Sequence, residues 1–102
     1  MVTSTNNDIA WFENDGQQNF TKQLVTDTFS GAWAVYATDL DKDDDIDLLG
    51  ASIEQGGVVW FENDGSQNFT QSTVDNTVGP VYDVSAVDLD SDGKLDIVGT
   101  AV

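Results

Sequence analysis

The sequence predicts an all-β protein made of two copies of one four-stranded antiparallel unit. The first observation is an internal repeat, because the run W-F-E-N-D-G at residues 11–16 returns at residues 60–65, a spacing of 49 residues. The second observation is that short runs rich in Val, Ile, Trp and Phe alternate with turn residues, without helical periodicity. A fixed spacing of this length is typical of repeat architectures.

Each copy of the unit contains four predicted strands. In the copy that starts at Ala32 they cover residues 32–38, 46–53, 58–62 and 68–74. The N-D-G run at residues 63–65 predicts a tight hairpin, because Asn, Asp and Gly tolerate positive φ, and residues 14–16 repeat it. We divide the chain into a first repeat, residues 1–53, and a second, residues 54–102.

The strands are apolar at consecutive positions, as in V-V-W-F at residues 58–61 and A-W-A-V-Y-A at residues 32–37. A sheet with one face in water alternates apolar and polar residues, so both faces of these strands are predicted to be buried. A four-stranded unit covered on both faces by copies of itself describes a β-propeller blade. The alternative is a two-sheet sandwich, in which the repeat would be incidental.

Composition excludes several classes of function. The chain has no cysteine and no histidine, which removes disulfides, Ser-His and Cys-His nucleophile pairs and most transition-metal sites. A net charge of −16 repels phosphates and anionic lipids, so neither nucleic acid binding nor membrane insertion is expected. The N-terminal residues lack the basic and apolar segments of a signal peptide.

Each unit has one aspartate-rich nonapeptide between its first two strands. The two sequences are D-L-D-K-D-D-D-I-D at residues 39–47 and D-L-D-S-D-G-K-L-D at residues 88–96. We name them the first and second aspartate loops. So many carboxylates in a short turn repel each other unless a cation neutralises them, and oxygen-only ligands favour Ca²⁺. The alternative is an acidic surface turn that binds no ion.

We predict one Ca²⁺ per loop, about two per chain, with ligands at loop positions 1, 3, 5, 7 and 9, position 7 acting through its backbone carbonyl. An EF-hand would need a Glu at position 12, where Gly50 and Gly99 stand instead. Asp44 stands where the second loop has Gly93, a position expected to need positive φ. The predicted metal ligands are Asp39, Asp41, Asp43, Asp45 and Asp47 in the first loop, and Asp88, Asp90, Asp92, Lys94 and Asp96 in the second.

Residues 37–52 and their copy at 86–101 resemble the FG-GAP/VCBS repeat of integrin α-subunit heads, fungal propeller lectins and secreted bacterial proteins. In that family D-x-D-x-D-G-x-x-D binds Ca²⁺ between the first two strands of a blade. The G-A-P triplet of the family stands here as residues 50–52 and 99–101, and its F-G as residues 30–31 and 79–80. The resemblance implies a secreted or extracellular protein.

The resemblance and the residue types together predict a non-catalytic protein. We expect a calcium-binding propeller module that binds a carbohydrate or protein ligand; the alternative is a purely structural propeller fragment that binds only calcium. A hydrolase or lyase using carboxylates such as Glu13, Glu54 and Glu62 is disfavoured, because these are more simply strand-end and turn charges.

Two groups of residues are candidates for binding a sugar. Aromatic side chains can stack on sugar rings, but core packing between blades is the preferred interpretation for them. The polar residues 18, 19, 67 and 68 next to the hairpins are the more plausible sugar ligands. The aromatic candidates are Trp11, Phe12, Trp33, Trp60 and Phe61.

The repeat also predicts self-association. By the alignment of the two copies, the chain begins with the last two strands of one blade and ends with the first two strands of another. Strand exchange between identical chains would complete those blades and cover apolar faces and unpaired edges. We expect a closed ring, either a homotrimer with six blades or a homotetramer with eight.

Overall fold

The computed structural model describes residues 7–54 and 56–101, and these form eight β-strands and no helix. The predicted all-β class is therefore confirmed. Within the described residues there is no helix long and apolar enough to cross a membrane. The strands are β1 (Ile9–Asn14), β2 (Phe20–Thr26), β3 (Ala32–Thr38), β4 (Asp47–Ser52), β5 (Gly57–Asn63), β6 (Phe69–Asp75), β7 (Val81–Val87) and β8 (Asp96–Ala101).

The strands form three antiparallel sheets. The central sheet has four strands in the order β3-β4-β5-β6, and it is flanked by two-stranded sheets, β1-β2 and β7-β8. The architecture is that of one complete blade between two half blades, which fits a fragment of a propeller. Strands β4 and β5 pair within the central sheet, with Gly50 opposite Val59. They lie on either side of the predicted boundary between the two repeats, which falls between residues 53 and 54. That division into repeats stays a prediction.

One hydrophobic core lies between the β1-β2 sheet and the central sheet. Its centre is an edge-to-face pair of Phe29 and Phe61, whose ring centroids are 5.7 Å apart at 85°. Gly50 makes this pair possible, because a Cβ at that position would lie 2.9 Å from the Phe29 ring and 3.1 Å from the Phe61 ring. The other buried members are Ile9, Ala32, Leu48 and Val59.

A second core lies between the central sheet and the β7-β8 sheet. Leu49 and Ala51 of β4 contribute side chains with no exposed surface, and Val81 and Val84 of β7 pack against them. Successive residues of β4 therefore face opposite cores, as the two-faced apolar pattern predicts. All six residues of β4 are buried, and so are five of the seven residues of β5.

The prediction that both faces of β3 are buried was wrong. Trp33 is 57% exposed and Tyr36 is 38% exposed, because β3 is an edge strand of the central sheet. Trp33 is therefore not a core residue. It packs edge-to-face on Tyr82 of β7, with ring centroids 5.5 Å apart, and these two residues occupy the same position in the two repeats.

Candidate metal centre

Both aspartate loops fold around their first aspartate. Asp39 accepts the backbone N–H of Asp43 on Oδ1 at 3.1 Å and that of Asp44 on Oδ2 at 2.9 Å. In the second loop, Asp88 accepts the N–H groups of Asp92 and Gly93 at the same two distances. The first carboxylate thus stands in for the backbone acceptors that a regular turn would supply, and it fixes the curvature of the loop.

Positive φ angles recur at corresponding positions of the two loops. Asp44 has φ 73° and Gly93 has φ 86°, which confirms the expectation from the sequence. Lys42 and Ser91, two positions earlier, have φ 60° and 62°. The backbone of the second loop is therefore less strained than that of the first, because glycine at position 93 adopts positive φ without a steric cost and Asp44 does not.

The first loop brings four predicted ligands together. Each of the four offers a carboxylate oxygen, and these oxygens all lie within 4.8 Å of one another. The donor set contains only oxygen, and the oxygens around one Ca²⁺ lie at most about 5 Å apart, since each is 2.3–2.6 Å from the ion. The cluster therefore fits a hard cation of this size. Its members are Asp39, Asp41, Asp43 and Asp47.

The second loop brings together only three of its predicted ligands, Asp88, Asp90 and Asp92. Asp96 lies outside this group. Its Oδ2 accepts the backbone N–H of Leu89 at 2.9 Å, as Oδ2 of Asp47 accepts that of Leu40 at 3.1 Å. Asp47 and Asp96, the ninth residues of the two loops, therefore share this hydrogen bond to the loop backbone and differ in their other contacts.

Asp47 has a second anchor that Asp96 lacks within the described residues. The backbone N–H of Asn63 donates to Oδ1 of Asp47 at 2.9 Å, and Nδ2 of Asn63 donates to the carbonyl of Ile46 at 2.9 Å. Asn63 belongs to the hairpin after β5, so the neighbouring strand completes the loop. Asp47 has no exposed surface, whereas Asp96 is half-buried.

Asp45 and Lys94 were predicted to act through their backbone carbonyls, and those roles stay predictions. The side chain of Asp45 is half-buried against the β5-β6 hairpin, where a Cβ on Gly65 would lie 3.1 Å from Oδ2. The ammonium of Lys42 in the first loop donates a hydrogen bond to the carbonyl of Gly93 in the second. The two loops are therefore neighbours in space.

The pKa values of three aspartates in the first loop are shifted, two of them upward and one downward. Desolvation, followed by the hydrogen bond with Asp43 and the charge of Asp47, raises the pKa of Asp41 to about 6. Desolvation and the charge of Asp43 also raise the pKa of Asp45. The pKa of Asp43 itself is lowered, chiefly because the backbone N–H of Asp45 donates to its carboxylate. Protons thus compete with cations for this cluster.

The comparison with protein families gives a match to the FG-GAP-like repeat, over residues 1–50 and again over residues 39–99. The chain belongs to the FG-GAP-like repeat family. The resemblance inferred from the aspartate loops is thereby confirmed. Comparisons with curated proteins and with solved structures returned no match. FG-GAP-like repeats are typically non-enzymatic and form β-propeller-like modules, and they often bind calcium.

In this FG-GAP-like chain the aromatic candidates for sugar binding differ in how far their side chains are exposed to solvent. Phe61 is 1% exposed and belongs to the core, whereas Trp11, Phe12 and Trp60 are half-buried. Only Trp33 offers most of its surface to a ligand. The predicted role in core packing therefore applies to Phe61 and does not apply to Trp33.

The polar candidates hold the hairpins together. Nδ2 of Asn19 donates to Asp15 at 2.9 Å, and Nδ2 of Asn68 donates to Asp64 at 3.0 Å. Gln18 and Gln67 have positive φ, 69° and 61°. These four residues repeat their roles in both hairpins, which is how turn residues behave.

Sequence reasoning missed Asn63, which we interpreted only as part of a turn. Its side-chain oxygen does accept the N–H groups of Gly65 and Gln67 within the hairpin, at 3.0 and 3.1 Å. Its amide and its backbone N–H, however, hold the first aspartate loop. The available signal was that an asparagine recurs at the same position, Asn14 and Asn63, in both copies of W-F-E-N-D-G.

Proposed function

We propose that this chain is a calcium-binding module of a β-propeller with a non-catalytic binding role. The observation that carries the proposal is the convergence of four carboxylate oxygens within 4.8 Å at one turn of the central blade. Desolvation raises the pKa of Asp41, and the charges of Asp47 and Asp43 add to that effect; one Ca²⁺ bound there neutralises these charges and ties β3 to β4. The second loop, with the same internal hydrogen bonds, binds a second ion.

The test is calorimetry on protein stripped of metal with EDTA. We expect two Ca²⁺ ions per chain and much weaker Mg²⁺ binding, because Mg²⁺ demands stricter octahedral geometry and dehydrates reluctantly. Asp43→Ala should remove one site and Asp92→Ala the other. Asp44→Asn is the matched control, since it removes a charge from the first loop without removing a proposed ligand. Ca²⁺ that left both the heat and the melting temperature unchanged would contradict the proposal.

A secreted or extracellular location suits such a module. Extracellular calcium modules bind with dissociation constants of about 10⁻⁴–10⁻³ M, so they are loaded outside the cell and empty inside it. The ligand of the module is proposed to be a carbohydrate or a protein. A glycan array on the calcium-loaded protein, with Trp33→Ala as the variant of the exposed aromatic, tests the carbohydrate case.

A second candidate is a self-assembling structural unit, as a homotrimer or homotetramer that closes a ring. The observation that favours it is the half blade on either side of the complete blade. Each half blade carries large exposed apolar side chains, including Phe20 at 60% and Val98 at 40%. Association of identical chains would cover this surface, and each Å² of apolar area removed from water contributes about 25 cal/mol. Native mass spectrometry distinguishes a ring from a monomer.

A further inference from the structure

Strands β4 and β8 occupy the same position in the two repeats but differ in burial. Every residue of β4 is buried, whereas four of the six residues of β8 are exposed. Both strands pair on one side with the preceding strand of their own repeat. On the other side β4 pairs with β5, and β8 has no partner strand among residues 7–54 and 56–101. The neighbouring strand β5 therefore accounts for the burial of β4, and β8 has no such neighbour among the described residues.

The chain contains a strand of this kind, β1, which repeats β5 at a spacing of 49 residues. Strand β1 pairs only with β2 among residues 7–54 and 56–101, so the edge that corresponds to the β4-facing edge of β5 has no partner strand in that part of the chain. Within one copy β1 is committed to the opposite side of the central sheet, where Ile9 belongs to the first core. A second copy of the chain offers a β1 that is not committed in this way to the central sheet that contains β4 and β5.

A groove beside β8 matches the side chains that β1 would bring. Its volume is about 260 Å³, and Val58, Val78, Val81, Ile97 and Gly99 are among its lining residues. In the first repeat the corresponding residues are Ile9, Phe29, Ala32, Leu48 and Gly50, and there Val59 and Phe61 of β5 fill the space between them.

The side chains that are absent from this groove are the counterparts of Val59 and Phe61. On β1 those positions hold Ala10 and Phe12. A Cβ on Gly99 would meet only ordinary contacts, the nearest at 3.4 Å, so this glycine leaves an aromatic ring room to pass as Gly50 does for Phe61. The groove therefore accepts the phenyl ring of a second copy.

The second aspartate loop carries an independent sign of the same missing strand. Asp47 is held by the backbone N–H of Asn63, and the carbonyl of Ile46 by its side-chain amide. The corresponding acceptors, Asp96 and the carbonyl of Leu95, receive no such donor within the described residues. Asn14 is the counterpart of Asn63, and it is the last residue of strand β1.

We propose that a second copy of this chain completes the second aspartate loop: its β1 pairs antiparallel with β8, and its Asn14 holds Asp96 as Asn63 holds Asp47. By the register of β4 with β5, Thr100 lies opposite Ile9 of the second copy, and Ala101 lies opposite its Asp8. This inference rests on the calcium binding and self-association proposed above, and adds that the second calcium site and the interface between chains depend on each other.

The dependence has a thermodynamic consequence. If docking of β1 positions Asp96 for the ion, association raises the calcium affinity of the second site, and calcium tightens association by the same factor. The first site gains nothing from association, because Asn63 of its own chain already holds Asp47. One calcium affinity should therefore depend on protein concentration while the other does not.

Calcium titrations at a dilution where the chain is monomeric, and again at a concentration where it is assembled, test this coupling. In the assembled protein we expect one of two sites to bind Ca²⁺ about tenfold or more tightly, since hydrogen bonds to a charged group contribute about 1.5–3 kcal/mol. Asp92→Ala should abolish the concentration dependence, and its matched counterpart Asp43→Ala should retain it. Self-association with two concentration-independent affinities would overturn the inference and leave both earlier proposals standing.

The role of Asn14 is tested by Asn14→Asp. This change keeps the oxygen that accepts the N–H groups of Gly16 and Gln18 in the hairpin, but it replaces the amide donor with an acceptor that faces the carbonyl of Leu95. We expect the dissociation constant between chains to rise about tenfold or more, with the first calcium site unchanged. Gln17→Glu adds the same charge to the same hairpin and should have little effect. Equal effects of the two variants would refute the contact.

The register is tested by disulfide cross-linking, because the chain has no cysteine of its own. Asp8→Cys combined with Ala101→Cys places thiols opposite each other between copies, and it should give covalent oligomers in calcium on oxidation. Asp8→Cys with Val98→Cys is out of register and should not, because a disulfide needs Cα atoms less than about 7 Å apart. A monomer at every concentration, or equal cross-linking by both pairs, would overturn the inference without touching the calcium binding proposed for the first loop.

Discussion

At the scale of single residues, the two repeats are distinguished by what surrounds identical side chains. Asp47 and Asp96 occupy the same position, and each accepts a backbone N–H from its own loop. Asp47 has no exposed surface and accepts a second N–H, from Asn63 across the sheet. A buried carboxylate that satisfies two backbone donors is a structural element of the fold as well as a candidate ligand.

We therefore predict that Asp47→Ala destabilises the calcium-free protein much more than Asp96→Ala. The first change leaves two N–H groups without an acceptor beside a buried cavity, at a cost of about 1–3 kcal/mol for each group. The second leaves one N–H group that water reaches. Urea denaturation of dilute protein in EGTA measures the difference. Equal loss of stability in the two variants would show that the Asn63 contact contributes little.

At the scale of elements, the hairpins after β1 and β5 are built alike but have different neighbours. Gly16 and Gly65 both have positive φ, 88° and 90°. A Cβ on Gly16 would have no atom within 4 Å, whereas one on Gly65 would approach the carboxylate of Asp45 to 3.1 Å. The β5-β6 hairpin thus packs against the first aspartate loop, and the β1-β2 hairpin has no such neighbour among the described residues.

This difference predicts unequal effects of alanine in the two hairpins. Gly16→Ala should cost about 1 kcal/mol, from the left-handed backbone alone. Gly65→Ala should cost more, and it should also weaken calcium binding at the first loop, because the methyl group displaces Asp45. Thermal unfolding combined with calorimetry gives both quantities. A calcium affinity unchanged in Gly65→Ala would mean that the position of Asp45 does not matter to the site.

At the scale of the whole molecule, the net charge of −16 makes stability depend on pH and calcium together. In the calcium-free protein the pKa of Asp41 is raised to about 6. A folded-state pKa above the unfolded value means that the folded protein binds the proton more tightly between about pH 4 and 6. This group therefore contributes stability at low pH that is lost as the pH rises through about 6. The lowered pKa values of Asp43 and Asp88 act only below about pH 4.

The expected result is a change of sign on adding calcium. Between pH 7 and 5, the melting temperature in EGTA should rise as the pH falls, because protonation relieves repulsion in the first loop. In saturating Ca²⁺ it should fall, because protons displace the ion from carboxylates that must be ionised to bind it. Asp41→Asn should flatten the slope in EGTA. The same slope in both conditions would argue against Ca²⁺ binding at this cluster.

The sequence by itself determined the repeat, the strands and the loops. A spacing of 49 residues, two-faced apolar runs and N-D-G turns were enough to place β3 without error and β4, β5 and β6 to within one residue at each end, because these signals are local. The positive φ at Asp44 was equally visible, since it follows from the glycine at the same position in the other copy.

Only the tertiary structure decided whether corresponding residues of the two repeats have the same surroundings. Trp33 was expected in a core, but an edge strand leaves it exposed. Asp96 was expected to behave as Asp47 does, but what holds Asp47 is Asn63, 16 residues further along the chain and on another strand. Sequence patterns report the period of a strand and the chemistry of a turn. Burial, and a contact from a neighbouring strand, depend on which surfaces meet, and two repeats of similar sequence have different neighbours.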